Sequence, residues 1–352
     1  MSDASIYPWE LDPKLTTAIW GGTELVGLYG KHGDPNAKLG ESWECWDADA
    51  VTNGALKGST VADLRSKLGP QFLGDIDPGK IFPILTKIIT AHDWLSVQVH
   101  PDDAYAQRVE HQPFGKTECW FVFSAQPGAE LVLGWTRDTS REEYERRVAD
   151  GTLGDILRKI PVKTGDTVYI PCGTVHAIGP GVTVFETQQA SDLTYRMFDW
   201  NRMGLDGKPR ELHIQKAADV LHYEGGGQTT LLQVDYTFDN LERTALIADP
   251  RFTVERVVAT SEPASLATHK RPLILMSLDK PMEVSSGDVT VQLGKYQTVL
   301  VPAAAQWCSV RATDGTAPFM FVTPPHERNQ LAVRMLAAGV PQAQIDAFTG
   351  QF

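Results

Sequence analysis

The sequence predicts a mainly β protein: two β-modules joined by a glycine-rich linker, with helical insertions and a helical C-terminal tail. Three observations carry this. Short runs rich in β-branched and aromatic residues recur from about 80 to 200 and again over 229–323, with Gly, Pro, Asp or Asn between many of them. Helical patterning is confined to 141–150 and 327–348. One glycine triplet, within Glu224-Gly-Gly-Gly-Gln228, marks the joint. At 352 residues, 42% of them apolar and 22% charged, the chain has the length of two domains and ample material for their cores.

In the first module the predicted strands are Ile81–Ile89, Trp94–His100, Glu118–Phe123, Glu130–Leu133, Thr167–Ile170 and Val182–Glu186. A helical insertion near 139–160 interrupts them. Its segment REEYERRVAD follows the cap candidates Thr139 and Ser140, and Glu142–Arg146 and Glu143–Arg147 have the favourable four-residue spacing of a solvated helix face. The second module is read from Thr230–Val234, Phe252–Val258, Leu273–Ser277, Val289–Leu293, Thr298–Val301 and Phe319–Val322. A helix over Glu327–Ala338 is stopped by Gly339 and Pro341, and a short helical turn reaches Phe348. The expected division is therefore 1–224, 225–325 and 326–352. The segment Gly165 to His176 also aligns with Gly294 to Trp307, as after an old duplication in which Trp307 stands where the first copy has His176.

With 32 basic and 44 acidic residues the net charge is −12, and the isoelectric point is near 5.2. This balance argues against nucleic acid or an anionic membrane as partner. No run approaches the ~20 apolar residues of a membrane span. The start MSDASIYPWELDPK lacks the pattern of a secretion signal, and Cys45, Cys119, Cys172 and Cys308 stand far apart without a CxxC pair. The expectation is a cytoplasmic protein with reduced thiols.

Chemistry concentrates in the first module. In Ser96-Val-Gln98-Val-His100, strand alternation puts Ser96, Gln98 and His100 on one face. Lys116 and Glu118 share a face by the same rule. The turn Pro171-x-Gly173 delivers His176 to the start of the next strand. Taken singly, a His or Gln in a strand is usually a satisfied core or surface residue. Taken together, two histidines, a carboxylate and an amide suit zinc, iron or manganese. Lys87, inside an apolar run, needs an anionic partner or a route to solvent.

The string GDTVYIPCGTVHAI fits the second motif of the cupin superfamily, Gly-x5-Pro-x-Gly-x2-His, at every fixed position. With LSVQVHPDD (95–103), GKTECWFV (115–122), GESWE (40–44), Trp20-Gly-Gly and SDLTYRMFDWNR (191–202), the chain resembles the class I mannose-6-phosphate isomerases, in particular their short bacterial branch. The resemblance implies two cupin-type jelly-roll modules, the second metal-free. It implies one zinc per chain, other divalent metals being alternatives, held by Gln98, His100, Glu118 and His176. It assigns basic active-site residues to Lys87, Lys116 and Arg196, places Ser96 near the phosphate, and adds Asp192 and Glu186 as acidic partners; the substrate phosphate, assisted by Ser96, is then the expected anion for Lys87.

Trp20 is a candidate wall of the substrate pocket, with core packing as its alternative. The implied reaction interconverts mannose 6-phosphate and fructose 6-phosphate through an enediolate, and the implied partner is a small sugar phosphate. The base is left open among Asp192, Glu186, Lys116 and a water on the metal. Asp192 and Arg196 share strand parity unless 188–195 is a loop. Rival readings are an iron dioxygenase, which leaves Gln98 and the cations without work, and a non-catalytic sugar-binding regulator.

Overall fold

Alternation sorts Val97 and Val99 to one face of a short strand and Gln98 to the other, and the same sorting builds each layer of the protein. The computed structural model describes residues 5–77, 81–227, 230–324 and 329–352. The contacts divide the chain into two units, one made of Leu15–Ser42 with Lys87–Leu231, the other of Met1–Lys14, Trp43–Thr86 and Leu232–Phe352. The division therefore interleaves segments, unlike a single cut near 224. Among the described residues no helix is long and apolar enough to cross a membrane.

The first unit is a jelly-roll sandwich. One sheet orders Thr167–Ile170, Glu118–Ala125, Val182–Gln189, Ile84–Ala91, Leu39–Cys45 and Lys14–Gly22. The other orders Tyr195–Phe198, Val97–Val99, His176–Ile178, Glu130–Trp135 and Leu157–Pro161. Ile89, Trp120, Val122, Val168 and Val184 of the first sheet meet Leu131, Leu133, Ile160 and Ile178 of the second in one dry cluster. Each fully buried side chain of this size contributes about 1.5–3 kcal/mol over an exposed one.

The outer face of the second sheet, with Val97, Val99, Val132 and Met197, is covered by Tyr144 of helix Arg141–Ala149 and by Ala217 and Ala218 of helix Ile214–Val220. Ser140 caps the former helix by accepting from Glu143 N–H. Glu143 pairs with Arg147 at 2.9 Å as the spacing predicts, while Arg146 also turns to Glu143, at 3.7 Å, rather than to Glu142.

The glycine-rich joint is hydrogen-bonded into this unit. Gly225 N–H donates to Asp138 Oδ1, and Gly226 N–H to the carbonyl of Trp135. Gln228 of the predicted linker and Glu327 of the predicted tail helix lie outside the described residues.

The second unit pairs an eight-stranded sheet with a four-stranded one. Between them lie Val257, Leu275, Val299, Phe319 and Phe321 against Leu266, Val284, Leu293 and Val310. The strand expected over Thr230–Val234 runs over Val234–Phe238 instead. Thr298–Val301, Pro302 and the strand Trp307–Ala312 repeat the order of Thr167–Ile170, Pro171 and His176–Ile178. Trp307 is 52% exposed, whereas His176 is buried.

The tail has a structural role: Leu331 and Met335 of helix Asn329–Ala337, with Ile345 and Phe348 of helix Gln342–Thr349, pack on Val234, Tyr236, Ala245 and Ala248. Arg334 pairs with the buried Glu255 at 2.6 Å, which also faces Arg243 at 3.4 Å and accepts from the Tyr236 hydroxyl.

Candidate functional site

Three adjacent strands set the heart of the site. His176 lies directly across from Gln98, and Arg196 lies across from Gln98 on its other side. The turn that delivers His176 is fixed by Gly173, whose φ of +84° is open to glycine at no steric cost. A Cβ there would also sit 2.7 Å from the ring of His222. Gly173 N–H donates to the carbonyl of His100, which ties the turn to the strand of the other histidine.

His100, Glu118 and His176 converge, their ligand atoms within 4.8 Å of one another. All three are buried to 1% exposure or less. Nδ1 of His100 lies 2.8 Å from the carbonyl of Leu193, and Nδ1 of His176 lies 2.9 Å from that of Thr174. Carbonyls only accept, so each Nδ1 carries the proton and each Nε2 keeps its lone pair for the centre. The Gln98 amide lies 3.3 Å from His176 Nε2. Among the described residues neither Glu118 oxygen, nor His100 Nε2, has a hydrogen-bond partner, although Lys116 Nζ stands 3.1 Å from Oε2 as an ion pair and His176 Nε2 lies 3.2 Å from Oε1. Burial opposes the charge of Glu118, yet the Lys116 ammonium, followed by His100 and His176, outweighs it and holds the carboxyl well below its usual range. Burial, then Lys116, pushes His100 well below the ordinary histidine value. A neutral imidazole, an ionised carboxylate and unsatisfied buried donor atoms fit a divalent cation of borderline softness such as zinc.

A cavity of about 650 Å³ opens beside this trio. Trp20, Lys87, Ser96, Gln98, Lys116, Glu186, Asp192 and Arg196 all line it, so the sequence-predicted residues outside the trio come together on its wall. Lys87 has the anionic partner its strand demands: Glu41 at 3.3 Å and Glu186 at 3.4 Å. Burial works against its charge, but Glu41, then Glu186, Asp192 and Glu118, together raise its pKa above the usual lysine value. Glu186 also accepts from Trp120 Nε1 at 2.8 Å, and burial, then the charge of Glu118, pushes its pKa up.

Asp192 sits in the connection between strands Val182–Gln189 and Tyr195–Phe198, so its parity with Arg196 carries no meaning, although both reach the cavity. Arg196 donates to the carbonyl of Glu211 at 3.0 Å and has no carboxylate within ion-pair distance among the described residues. Burial, then Arg210, lowers its pKa.

Glu41, which the sequence offers with Glu44 as a partner of the site residues or a salt-bridging rim acid, lines the cavity, and so does Arg210, which was not singled out. Glu41 carried a signal, an acid inside the patterned GESWE. Arg210 lies in the polar stretch Gly204–Glu211, where nothing in the local pattern marks a site.

Residues 9–117 match the family described as phosphomannose isomerase type I, catalytic domain. A mannose-6-phosphate isomerase of Streptococcus mutans is 38% identical over 294 residues, 82% of this chain and 89% of its own. The crystal structure of the Bacillus subtilis mannose 6-phosphate isomerase superposes with a TM-score of 0.80 at 30% identity, covering 90% of this chain and 99% of that one. A zinc-bound mannose 6-phosphate isomerase shares the fold, with a TM-score of 0.73 at 14% identity over 91% of this chain and 100% of its own. With sequence identity sustained along most of its length, and a jelly roll whose buried histidines and glutamate converge beside a deep cavity, this chain belongs to the type I phosphomannose isomerase family.

Proposed function

We propose that the chain interconverts mannose 6-phosphate and fructose 6-phosphate with one zinc ion held by Gln98, His100, Glu118 and His176. The observation that carries this is the pairing of buried His100 Nε2 and Glu118 oxygens, without hydrogen-bond partners among the described residues, with a cavity whose Arg196 has no carboxylate within ion-pair distance among them. Family membership supports the isomerase over the oxygenase and regulator readings.

Aldose–ketose exchange moves one proton between C1 and C2 and another between the two oxygens, so it needs a base near carbon and positive charge near oxygen. A bound zinc supplies Lewis-acid polarisation of the substrate oxygens. Arg196, a permanently charged fork beside Gln98, stabilises negative charge developing on the enediolate. Glu186 is suited to carry the carbon-bound proton, because burial raises its pKa and Trp120 and Lys87 fix its carboxyl at the cavity wall. Lys87, neutralised by two carboxylates, orients Glu186 and Glu41 and leaves the phosphate to other cations. Lys116 and Asp192 face the same cavity and serve proton movement between the oxygens. The phosphate lies towards Ser96 and Arg210, with Trp20 as an apolar wall.

No disulfide forms among the described residues, and Cys45, Cys119 and Cys308 are buried. That suits a reducing cytoplasm, where we place the protein. The deciding experiment is a coupled assay with mannose 6-phosphate and free mannose, before and after a chelator. The expected result is turnover of the phosphosugar that the chelator abolishes and added zinc restores. Full turnover in protein shown to contain no metal overturns the proposal.

A further inference from the structure

Next to the trio in sequence, and outside the cavity lining, lies a polar cradle to which the reaction gives no task. Gln189 closes strand Val182–Gln189 and is 4% exposed. Its Oε1 accepts from Thr117 N–H at 3.0 Å, and its Nε2 donates to Asp103 Oδ1 at 2.9 Å. The amide orientation is fixed by its partners, since a backbone N–H only donates and a carboxylate only accepts. Gln189 N–H donates to Thr117 O at 3.1 Å, so residue 117 is gripped at both its amide and its carbonyl. Asp103 Oδ1 also accepts from Gly115 N–H at 2.7 Å. Thr117 Oγ1 touches Cys172 Sγ at 3.1 Å, in the turn that leads to His176.

These bonds join four pieces of chain. Thr117 stands between Lys116 and Glu118. Asp103 lies three residues after His100, at the start of the helix Asp103–Tyr105. Cys172 precedes His176, and Gln189 itself follows Glu186. The Gln189 side chain bonds to both the Thr117 and the Asp103 segments, while Asp103 reaches Gly115 directly and Thr117 reaches Cys172. Gly115 permits the close approach, because a Cβ there would meet the backbone of Asp102 and Pro101 at 2.4 Å.

We infer that Gln189, acting with Asp103 through the backbone of Thr117, is a positioning residue that sets the Glu118 carboxylate for the metal. It touches neither metal nor substrate. Groups that orient ligands in this way are worth about 10–100-fold in metal affinity. The inference rests on the zinc reading above, and its test separates the two.

Zinc affinity is measured by chelator competition on the full chain, with Gln189→Leu, Asp103→Ala and Asp103→Asn alongside the parent. Cobalt-substituted protein reports ligand geometry through its visible absorption bands. Gln189→Leu keeps the volume and removes both bonds. Asp103→Ala removes the Gln189 link together with the Gly115 bond, at a half-buried position. Both are expected to weaken zinc binding at least tenfold and to alter the cobalt bands at temperatures where the chains are fully folded. Asp103→Asn keeps the oxygen acceptor and is expected to stay within threefold of the parent.

Parent affinity and parent cobalt bands in folded Asp103→Ala overturn the inference, whether or not Gln189→Leu folds. So does an Asp103→Asn variant as weak as Asp103→Ala. A parent that binds no zinc overturns the metal reading instead.

Discussion

Lys87 carries a charge into a strand that is buried along its whole length, and two carboxylates hold it there. The demand for a counter-ion was legible in the sequence, but its identity was not, because Glu41 arrives from a strand remote along the chain. Charge accounting around the cavity then points the phosphate elsewhere. Arg210 grips Asp199 through two bonds, of 2.6 and 2.7 Å, but Asp199 is shared with Arg202, which also pairs with Asp93 at 3.1 Å, and Arg210 itself lines the cavity. Arg210→Gln is expected to raise KM for mannose 6-phosphate about tenfold or more, the loss of one charge-assisted hydrogen bond, while kcat falls little. Steady-state kinetics check this, and unchanged KM removes Arg210 from the phosphate site.

A second residue governs stability rather than chemistry. Asp49 is 3% exposed, and burial pushes its carboxyl up to about 8. In the unfolded chain it ionises near 3.8, so between about pH 4 and 8 the unfolded state alone gives up the proton. Stability is thereby full below the lower value and declines as pH rises, by at most about 1.4 kcal/mol per pH unit. Asp49→Asn is expected to flatten this decline and to be the more stable protein at pH 8, as read from urea midpoints across the range. Parallel curves for the two proteins refute the assignment.

Among the elements, those with strict alternation or a fixed turn were readable in advance. Thr167–Ile170, Leu273–Ser277, Val289–Leu293 and Thr298–Val301 begin and end where their residue types change. Gln98, His100, Lys116 and Glu118 come together at the trio and the cavity, although strand Val97–Val99 stops short of His100 and strand Glu118–Ala125 begins after Lys116. Strand Lys14–Gly22 escaped notice, since its half-exposed residues show no alternation. Helix Val61–Leu68 was also missed, although Thr60 and Asp63 form the reciprocal cap its sequence permits.

The tail shows how an element with no detectable family pattern earns its place through packing. Phe348, fully buried against strand and helix, is expected to cost about 3–5 kcal/mol when changed to Ala. Urea unfolding measures it, and a loss under 1 kcal/mol contradicts the docking. The parent rate should persist below the transition, because the tail belongs to the unit without the trio.

Over the whole molecule, the reading of two β-modules and a tail was legible, but their boundaries were not. Linear patterns locate a linker by composition, and the glycine triplet marked a change of strand set. They do not reveal that 1–14 and 43–86 join strands from beyond 231. A fragment ending at 224 therefore keeps almost all of the first unit but strands Trp9, Leu64 and Phe72, buried in the intact chain, without their partners. It is expected to aggregate on size-exclusion chromatography, whereas 1–352 elutes as a defined species. A well-behaved fragment shows those segments to be dispensable.

The interleaving also sets an order of events at the ribosome. The jelly roll bearing the histidines has all its strands once residue 231 has emerged, and it can condense while translation continues. The second unit cannot, since its earliest segments are synthesised first and must wait for strands made last. During that interval the nascent chain holds Trp9, Leu64 and Phe72 without the partners that bury them, so slowing elongation after the first unit would expose the protein to misassembly.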